Sequence, residues 1–304
     1  NPVILGHEFM GTILETGDGA KDGHFKPLEA GIRVAVEPAV PCWQCELCEH
    51  GHPNLCPNHY FIGLYPEDGA LQERMIVPAR NCFPMPDAIS DAGGTLLETL
   101  GVAIHAVDLG HIRVGDDVAV IGCGPVGLLI IQLLKLAGVN RLFAFDLHDW
   151  RAEKAKALGA THVMTPENAG ASSAPAGVEF VDFVHQETKG RGVDIAFEVA
   201  WSDHSVQLAA DMARYGGRLV MVGIPGDDNM TFKHSVARRK GLSIIMSRRM
   251  KHTYPRAITL TESGKVQLDT LVSHTFPLKD THAAFEKNLA YEDGILKGVI
   301  CVQQ

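Results

Sequence analysis

Four cysteines stand in C-x2-C-x2-C-x7-C spacing: Cys42, Cys45, Cys48 and Cys56. Four thiolates can close a tetrahedral shell around Zn2+ and leave no position open, so such a site staples a loop and does no chemistry. Four-cysteine clusters also occur in zinc ribbons that bind nucleic acid. Here the neighbours are Glu37, Glu46 and Glu49 with few Lys or Arg, which offers no basic footprint for that partner. The remaining cysteines, Cys82, Cys123 and Cys301, are scattered. A secreted disulfide framework would be smaller and denser in cysteine, so the pattern implies a reducing, cytoplasmic setting with one structural metal site. The scattered thiols then read as small buried apolar residues.

A second chemistry-bearing string is GCGPVG, Gly122 to Gly127. Gly122 permits a tight turn, Gly124 puts no side chain in the way of a pyrophosphate, and Gly127 lets helix and strand approach closely. The helix N-terminus would face the phosphate charge. Pro125 and Val126 complete the turn, and Val222 and Gly223, at the end of a later strand, are further candidates for cofactor contact. Asp146 ends the next strand, close to the ~20-residue offset of the acid that binds the adenosine ribose. A carboxylate there accepts from both ribose hydroxyls and repels a 2′-phosphate, which favours NAD over NADP. Arg151 either stacks near the adenine or is an ordinary solvated helix residue.

These motifs need particular elements to hold them. Residues 1 to about 100 are rich in Gly and Pro, with short β-like runs at Arg33–Val36 and Glu73–Val77. Leu96–Leu109 turns helical and ends at Gly110. Asp117–Ile121 is a nearly continuous apolar strand, as in a parallel sheet covered on both faces. Helices from Val126 to Ala137 and Arg151 to Leu158 then alternate with strands at Leu142–Phe145, Val193–Val199, Leu219–Val222 and Leu242–Met246. That alternation predicts an α/β doubly wound, Rossmann-type parallel sheet. The tail breaks the rhythm: helical over His252–Gly264 and Thr281–Leu289, extended over Leu271–Phe276 and Lys297–Val302. We expect a first domain at 1–107, a dinucleotide-binding domain at 108–248, and a segment 249–304 that returns to complete the first.

The 304 residues carry a formal net charge of -9, which argues against a nucleic-acid or anionic-membrane partner. No apolar run reaches the ~20 residues of a membrane span; Val118–Leu136 is broken by the glycine turn and holds Gln132 and Lys135. The chain opens on Asn1-Pro2-Val3-Ile4-Leu5-Gly6-His7-Glu8, without Met or signal peptide, and reads as truncated at its N-terminus.

In chain order, Gly6-His7-Glu8-Phe9 with Gly11, the four-cysteine lobe, Glu98 before Leu100–His105, and GCGPVG resemble the zinc-containing medium-chain dehydrogenase/reductase family, in its sorbitol (polyol) dehydrogenase branch. The ending agrees: Arg238-Arg239-Lys240, Tyr254-Pro255, Ser263–Val266, Ser273–Leu278 and Ala284–Glu286. The resemblance covers essentially the whole chain and implies a GroES-like, mainly β catalytic domain beside the Rossmann domain. It also implies a second, catalytic zinc with His7 as ligand, Glu8 as ligand or close neighbour, and Glu98 acting on the metal directly or through its water. His105 could share the helix face of Glu98, with a structural role. The family's first zinc-ligand Cys and its proton relay lie upstream of the GHE motif, so the catalytic set is incomplete as written. Thr99 stands where the branch shows Pro, and Ser247-Arg248-Arg249-Met250 replaces an aromatic-rich version.

The activity implied is reversible, NAD-dependent oxidation of a small-molecule secondary alcohol, of the polyol or sugar-alcohol class, to a ketone. Zinc would act as Lewis acid toward the alcohol oxygen, and the nicotinamide would accept the hydride. Alternatives are an amino alcohol such as threonine, a simple secondary alcohol, or a catalytically incomplete NAD-binding protein. A zinc-free quinone reductase would need neither His7-Glu8 nor the cysteine lobe. The family implies a homo-oligomer, tetramer or dimer.

Overall fold

The computed structural model describes residues 2–166, 177–226 and 228–302. Asn1, at the head of the opening string, lies outside them. Contacts divide the chain into two compact units, one of Asn1–Val102 with Arg249–Gln304, the other of Ala103–Arg248.

The first unit begins with short antiparallel ladders. Strands β1 (Met10–Thr12), β2 (Arg33–Val36) and β5 (Cys82–Pro84) form one sheet in the order β1-β2-β5, and β3 (Ala39–Val40) pairs with β4 (Tyr60–Phe61). Leu28, Val34, Val36, Ile62 and Cys82 form a core under them. Between β3 and β4 lies the cysteine lobe, with one helical turn, α1 (Glu46–Glu49). Glu73–Val77 departs from expectation: it belongs to no strand. Its alternation is real, since Met75 and Val77 pack on that core while Ile76 is fully exposed, but no neighbouring strand offers it a ladder among the described residues. Helix α2 (Asp91–Thr95) is capped by Ser90, whose hydroxyl accepts from the Gly93 N–H at 2.8 Å. Helix α3 (Leu97–Gly110) follows, with Glu98 in its first turn.

The second unit is built on six parallel strands: β6 (Asp117–Ile121), β7 (Arg141–Phe145), β8 (His162–Met164), β9 (Val193–Glu198), β10 (Ala213–Met221) and β11 (Ser243–Met246). Their order, β11-β10-β9-β6-β7-β8, is that of a doubly wound dinucleotide fold, with the switch point between β6 and β9. Every residue of β6 and β9 is buried; β6 reads as a nearly continuous apolar run, whereas β9 carries Asp194 and Glu198 within its buried length. Connecting helices are α4 (Pro125–Ala137), α5 (Asp149–Leu158), α6 (Val178–Glu187), α7 (Asp203–Met212) and α8 (His234–Lys240). Helix α4 ends at Gly138, whose φ of 75° is the left-handed stop that glycine supplies. Strand β10 starts six residues before the expected Leu219 and stops at Met221, so Val222 lies just beyond it.

The tail holds α9 (Tyr254–Glu262), β12 (His274–Pro277), α10 (Thr281–Ala290) and β13 (Gly298–Cys301), with β12 and β13 paired in parallel. It packs within the first unit. The Tyr254 ring stacks on Phe83 at 4.9 Å, and its hydroxyl donates to the Val36 carbonyl at 2.8 Å. Among the described residues no helix is long and apolar enough to cross a membrane.

A charge ladder ties the N-terminal ends of the parallel strands. Arg141 reaches Asp117 at 2.6 Å, Arg191 and Arg214 each reach Asp194 at 2.6 Å, and the Asp117 N–H donates to Asp194 at 3.0 Å. Burial works against the charge on Asp194, yet Arg191, Arg214 and the Asp117 amide hold its carboxyl well below the usual range. A depressed carboxyl contributes stability that is present above its unfolded pKa, ~3.9, and is lost as pH falls through the folded value. Asp194→Asn should therefore cost on the order of 2 kcal/mol at pH 7, after allowance for the half-exposed arginines. The cost should be smaller at pH ~3, where part of that stability is already lost. Urea denaturation at both pH values measures this; an equal loss at both would refute it.

Candidate active site

His7 and Glu8 lie on the loop before β1, and its path is fixed by backbone crowding. Gly6 has φ of 103°, and its carbonyl accepts from the Ala70 N–H at 2.9 Å. A Cβ on Gly63 or Gly69 would fall 2.4 or 2.3 Å from that carbonyl. Gly69 and Leu71 N–H groups also donate to Ile4 and Leu5 carbonyls. Three glycines thus let two loops cross closely enough to place the His7 ring against Phe61, centroids 5.4 Å apart.

Glu98 enters the same place from α3. One ligand atom from each of His7, Glu8 and Glu98 lies within 4.8 Å of the others. Glu98 is 6 % exposed. Burial first, then the neighbouring Glu8 charge, pushes its carboxyl up to about 8. Burial likewise opposes the charge on Glu8, but Lys297 outweighs it: the ammonium forms an ion pair with Glu8 Oε2 and lowers its pKa. His7 is shifted down, mainly by burial and also by the charges of Lys297 and Arg249. Arg249 lies over the Phe61 ring at 3.9 Å. One imidazole and two carboxylates in this arrangement suit a divalent cation that takes nitrogen and oxygen ligands. The cation would supply the charge that Glu98 lacks when ionised.

Sequence reasoning missed Phe61, Lys297 and Arg249. Lys297 carried a faint signal, a single charge inside the apolar run Ile295–Ile300; Arg249 stood only as a departure from the family pattern. His105, also buried, belongs to neither group of potential metal ligands among the described residues.

The four lobe cysteines form the other group. Sulfur–sulfur separations are 3.5 Å for Cys45–Cys48, 3.8 Å for Cys45–Cys56 and 3.5 Å for Cys42–Cys56. Zn–S bonds of ~2.3 Å in a tetrahedron set thiolates ~3.8 Å apart, whereas a disulfide needs ~2.05 Å. All four thiols are free. The Gln44 backbone N–H leads in bringing Cys42 down to about 6, while burial and the adjoining thiols push Cys48 up to about 12. Crowded thiols cannot all ionise without a cation among them, so the donor set fits a closed zinc site.

In the second unit, Gly122 closes β6 with φ of 101°, and a Cβ there would meet the Ala200 amide at 2.9 Å. A Cβ on Gly127 would fall 1.9 Å from the Gly122 carbonyl, while one on Gly124 would meet nothing within 4 Å. The opening above Gly124, at the N-terminus of α4, is therefore a cradle that a side chain would fill. Pro125 and Val126 are the first residues of that helix, part-exposed. Asp146 Oδ2 accepts from the Cys123 N–H at 2.8 Å and Oδ1 from the His148 N–H at 3.0 Å. Each oxygen keeps acceptor capacity. Arg151 turns back toward Asp146 at 3.9 Å and lies over the Trp150 ring at 5.0 Å. Val222 and Gly223 donate to the Glu198 carbonyl at 2.9 and 3.1 Å, which sets them beside β9 at the same sheet edge.

Residues 1–87 match the alcohol dehydrogenase GroES-like domain and 125–263 the zinc-binding dehydrogenase domain. Sorbitol dehydrogenase of Bacillus subtilis (strain 168) is 32% identical over 299 residues, 98% of this chain and 81% of that protein. A probable D-xylulose reductase A of Arthroderma otae is 34% identical over 94% of this chain and 78% of its own length. Among solved structures, an Escherichia coli oxidoreductase/dehydrogenase of unknown specificity superposes with TM-score 0.90 at 29% identity, covering 99% of this chain and 83% of that one. An alcohol dehydrogenase of E. coli CFT073 complexed with NADH gives TM-score 0.85 at 28% identity, covering 99% and 84%. A structure from Sinorhizobium meliloti 1021 bound to NADP gives 0.80 at 28%, covering 93% and 79%. The chain is an oxidoreductase, and it belongs to the zinc-containing medium-chain dehydrogenase/reductase family, in the sorbitol dehydrogenase-like branch.

Proposed function

We propose that this chain oxidises a secondary alcohol of the polyol or sugar-alcohol class to a ketone, reversibly, with NAD as hydride acceptor. The observation that carries the reading is the part-buried His7–Glu8–Glu98 cluster in a chain that also holds the glycine turn and Asp146. The likeness to a sorbitol dehydrogenase supports the substrate class. The alcohol carbon gives a hydride to the nicotinamide and the hydroxyl gives up a proton, so the products are ketone, NADH and H+.

His7, Glu8 and Glu98 are the donors this chain offers to a catalytic zinc, which supplies Lewis acidity toward the alcohol oxygen. Lys297 keeps Glu8 ionised, and Arg249 adds positive charge beside Glu98 and His7. Cys42, Cys45, Cys48 and Cys56 would hold a second, structural zinc. Gly122, Gly124, Pro125, Val126, Gly127, Val222 and Gly223 would line the dinucleotide, with Asp146 on the adenosine ribose and Arg151 beside it. A 2′-phosphate would face the Asp146 carboxylate, which favours NAD over NADP. On this reading the catalytic domain comprises 1–107 and 249–304, and the cofactor domain 108–248. A homo-oligomer is supported by β11, an edge strand with Ile244 and Met246 exposed. A cytoplasmic setting is supported by seven free thiols.

The direct test follows NADH absorbance with sorbitol, xylitol, a simple secondary alcohol and threonine, before and after metal removal by chelator. Turnover should be best with the polyols and should vanish with the metal; full activity in stripped protein would end the proposal.

Asp146→Ser should weaken NAD binding by about tenfold or more, the worth of a charge-assisted hydrogen bond, and improve NADP relative to NAD. Unchanged preference in binding titrations would show that Asp146 does not read the ribose.

Glu98 gives a third test. In the metal-free folded chain it stays protonated up to about pH 8, whereas unfolded it ionises near 4.5. The folded state binds more protons between those values, so metal-free stability falls as pH rises through that window and levels off above it. Glu98→Gln should raise the metal-free Tm at pH 8, leave it unchanged at pH 4, and abolish metal uptake at the cluster. Calorimetry paired with metal analysis would show whether it does.

A further inference from the structure

The turn 249–252 is held in an unfavourable conformation. Arg249 and His252 have φ of 56° and 48°, left-handed values that are unfavourable for a residue with a side chain. The surroundings must enforce them. From inside, Met250 is buried and packs at Gly101, where a Cβ would come within 2.9 Å of its sulfur. From outside, two successive residues of the turn touch the cysteine lobe. Lys251 Nζ lies 3.1 Å from His52 Nδ1. The His252 ring stacks on Trp43, centroids 6.1 Å apart and planes 26° apart.

Both lobe contacts depend on the shape the cysteines impose. Trp43 sits between Cys42 and Cys45, at φ of 59°, and His52 between Cys48 and Cys56. Trp43 is itself pinned by Arg80, whose guanidinium lies 3.7 Å from the ring centroid. At the other end of the turn, Arg249 covers Phe61, whose ring touches His7, and its charge acts on both His7 and Glu98.

We propose that the cysteine lobe positions Arg249. A closed, metal-loaded lobe presents Trp43 and His52 to residues 252 and 251, clamps the left-handed turn, and so holds the Arg249 guanidinium at the His7–Glu98 cluster. Metal occupancy of the lobe is thereby felt at the cluster, and loss of the clamp lets the turn relax to ordinary φ and carries Arg249 away. Trp43 and His52 are positioning residues. The effect on turnover rests on the cluster being the reaction site; the coupling between lobe and Arg249 does not.

The test uses purified, zinc-loaded protein, wild type and Trp43→Ala, Trp43→Phe and His52→Ala, with zinc content measured for each. Phenylglyoxal modification of Arg249 is followed by peptide mass spectrometry against exposed Arg238 as reference. Arg249 should react several-fold faster in Trp43→Ala and His52→Ala that retain zinc, and in wild type stripped of lobe metal. Trp43→Phe, which keeps an aromatic face for His252, should react as wild type does. Unchanged Arg249 reactivity in Trp43→Ala and in the stripped protein would overturn the proposal. A second arm measures kcat and KM in a double-mutant cycle of Trp43→Ala with Arg249→Ala. If Trp43 acts through Arg249, its effect disappears once Arg249 is gone, whereas additive losses would count against the coupling. If no variant, wild type included, turns over substrate, the reaction-site reading fails while Arg249 reactivity still decides the clamp.

Discussion

A carboxylate taken out of water must be neutralised, and the first unit is organised around that requirement. Part-buried Glu8 meets fully buried Glu98, with Glu37 near enough to raise Glu98 further. The cations that answer them come from the far end of the chain. Lys297 reaches Glu8 across 289 residues of sequence, and Arg249 arrives on the turn that begins the tail. Tyr254 closes the same region across 218 residues. The loops that present His7 and Glu8 and the tail that neutralises them are therefore interdependent. Neither half of the unit is electrostatically complete alone.

The second unit ties its sheet with ion pairs at the strand ends opposite the glycine turn. The strands carry the Asp117–Arg141 and Asp194–Arg214 pairs at their N-terminal ends. The opposite ends carry Gly122, Asp146 and Gly223. Strand β6 shows the division in five residues: it begins at Asp117 in the ladder and stops at Ile121, one residue before the glycine turn. Parallel strands all point the same way, so every strand has one end for holding the sheet and one end free to meet a ligand.

What could be read from the sequence follows from range. The alternating strands and helices of 117–246 declare themselves because each βαβ step is local and its burial pattern repeats. The cysteine spacing declared a group of thiols because the four fall within 15 consecutive residues, and the folded chain does bring them together. Lys297, Arg249 and Phe61 act through contacts that no spacing rule connects to His7 or Glu8. Gly63 and Gly69 carry no spacing signal; their importance lies in the Gly6 carbonyl, 57 and 63 residues earlier, which leaves no room for a Cβ. Glu73–Val77 shows the reverse error, an alternation with buried and exposed faces but no strand to pair with.

The two acids of the cluster also differ in a way their shared residue type conceals. Lys297 holds Glu8 ionised, and burial with the Glu8 charge keeps Glu98 protonated up to about 8. Near neutral pH the metal-free cluster thus carries one negative charge on Glu8 and a neutral acid at Glu98. Environment has pushed two like groups apart, the usual way one site obtains two acid–base characters. A divalent cation would reverse the balance at Glu98, because the desolvation that opposes its charge is offset only when a positive partner is present. Lys297 is paired with Glu8, and its charge also lowers the Glu98 carboxyl, though not enough to offset burial and the Glu8 charge. Arg249 adds a second, smaller lowering of Glu98, which makes the geometry of the turn 249–252 an electrostatic matter as well as a packing one.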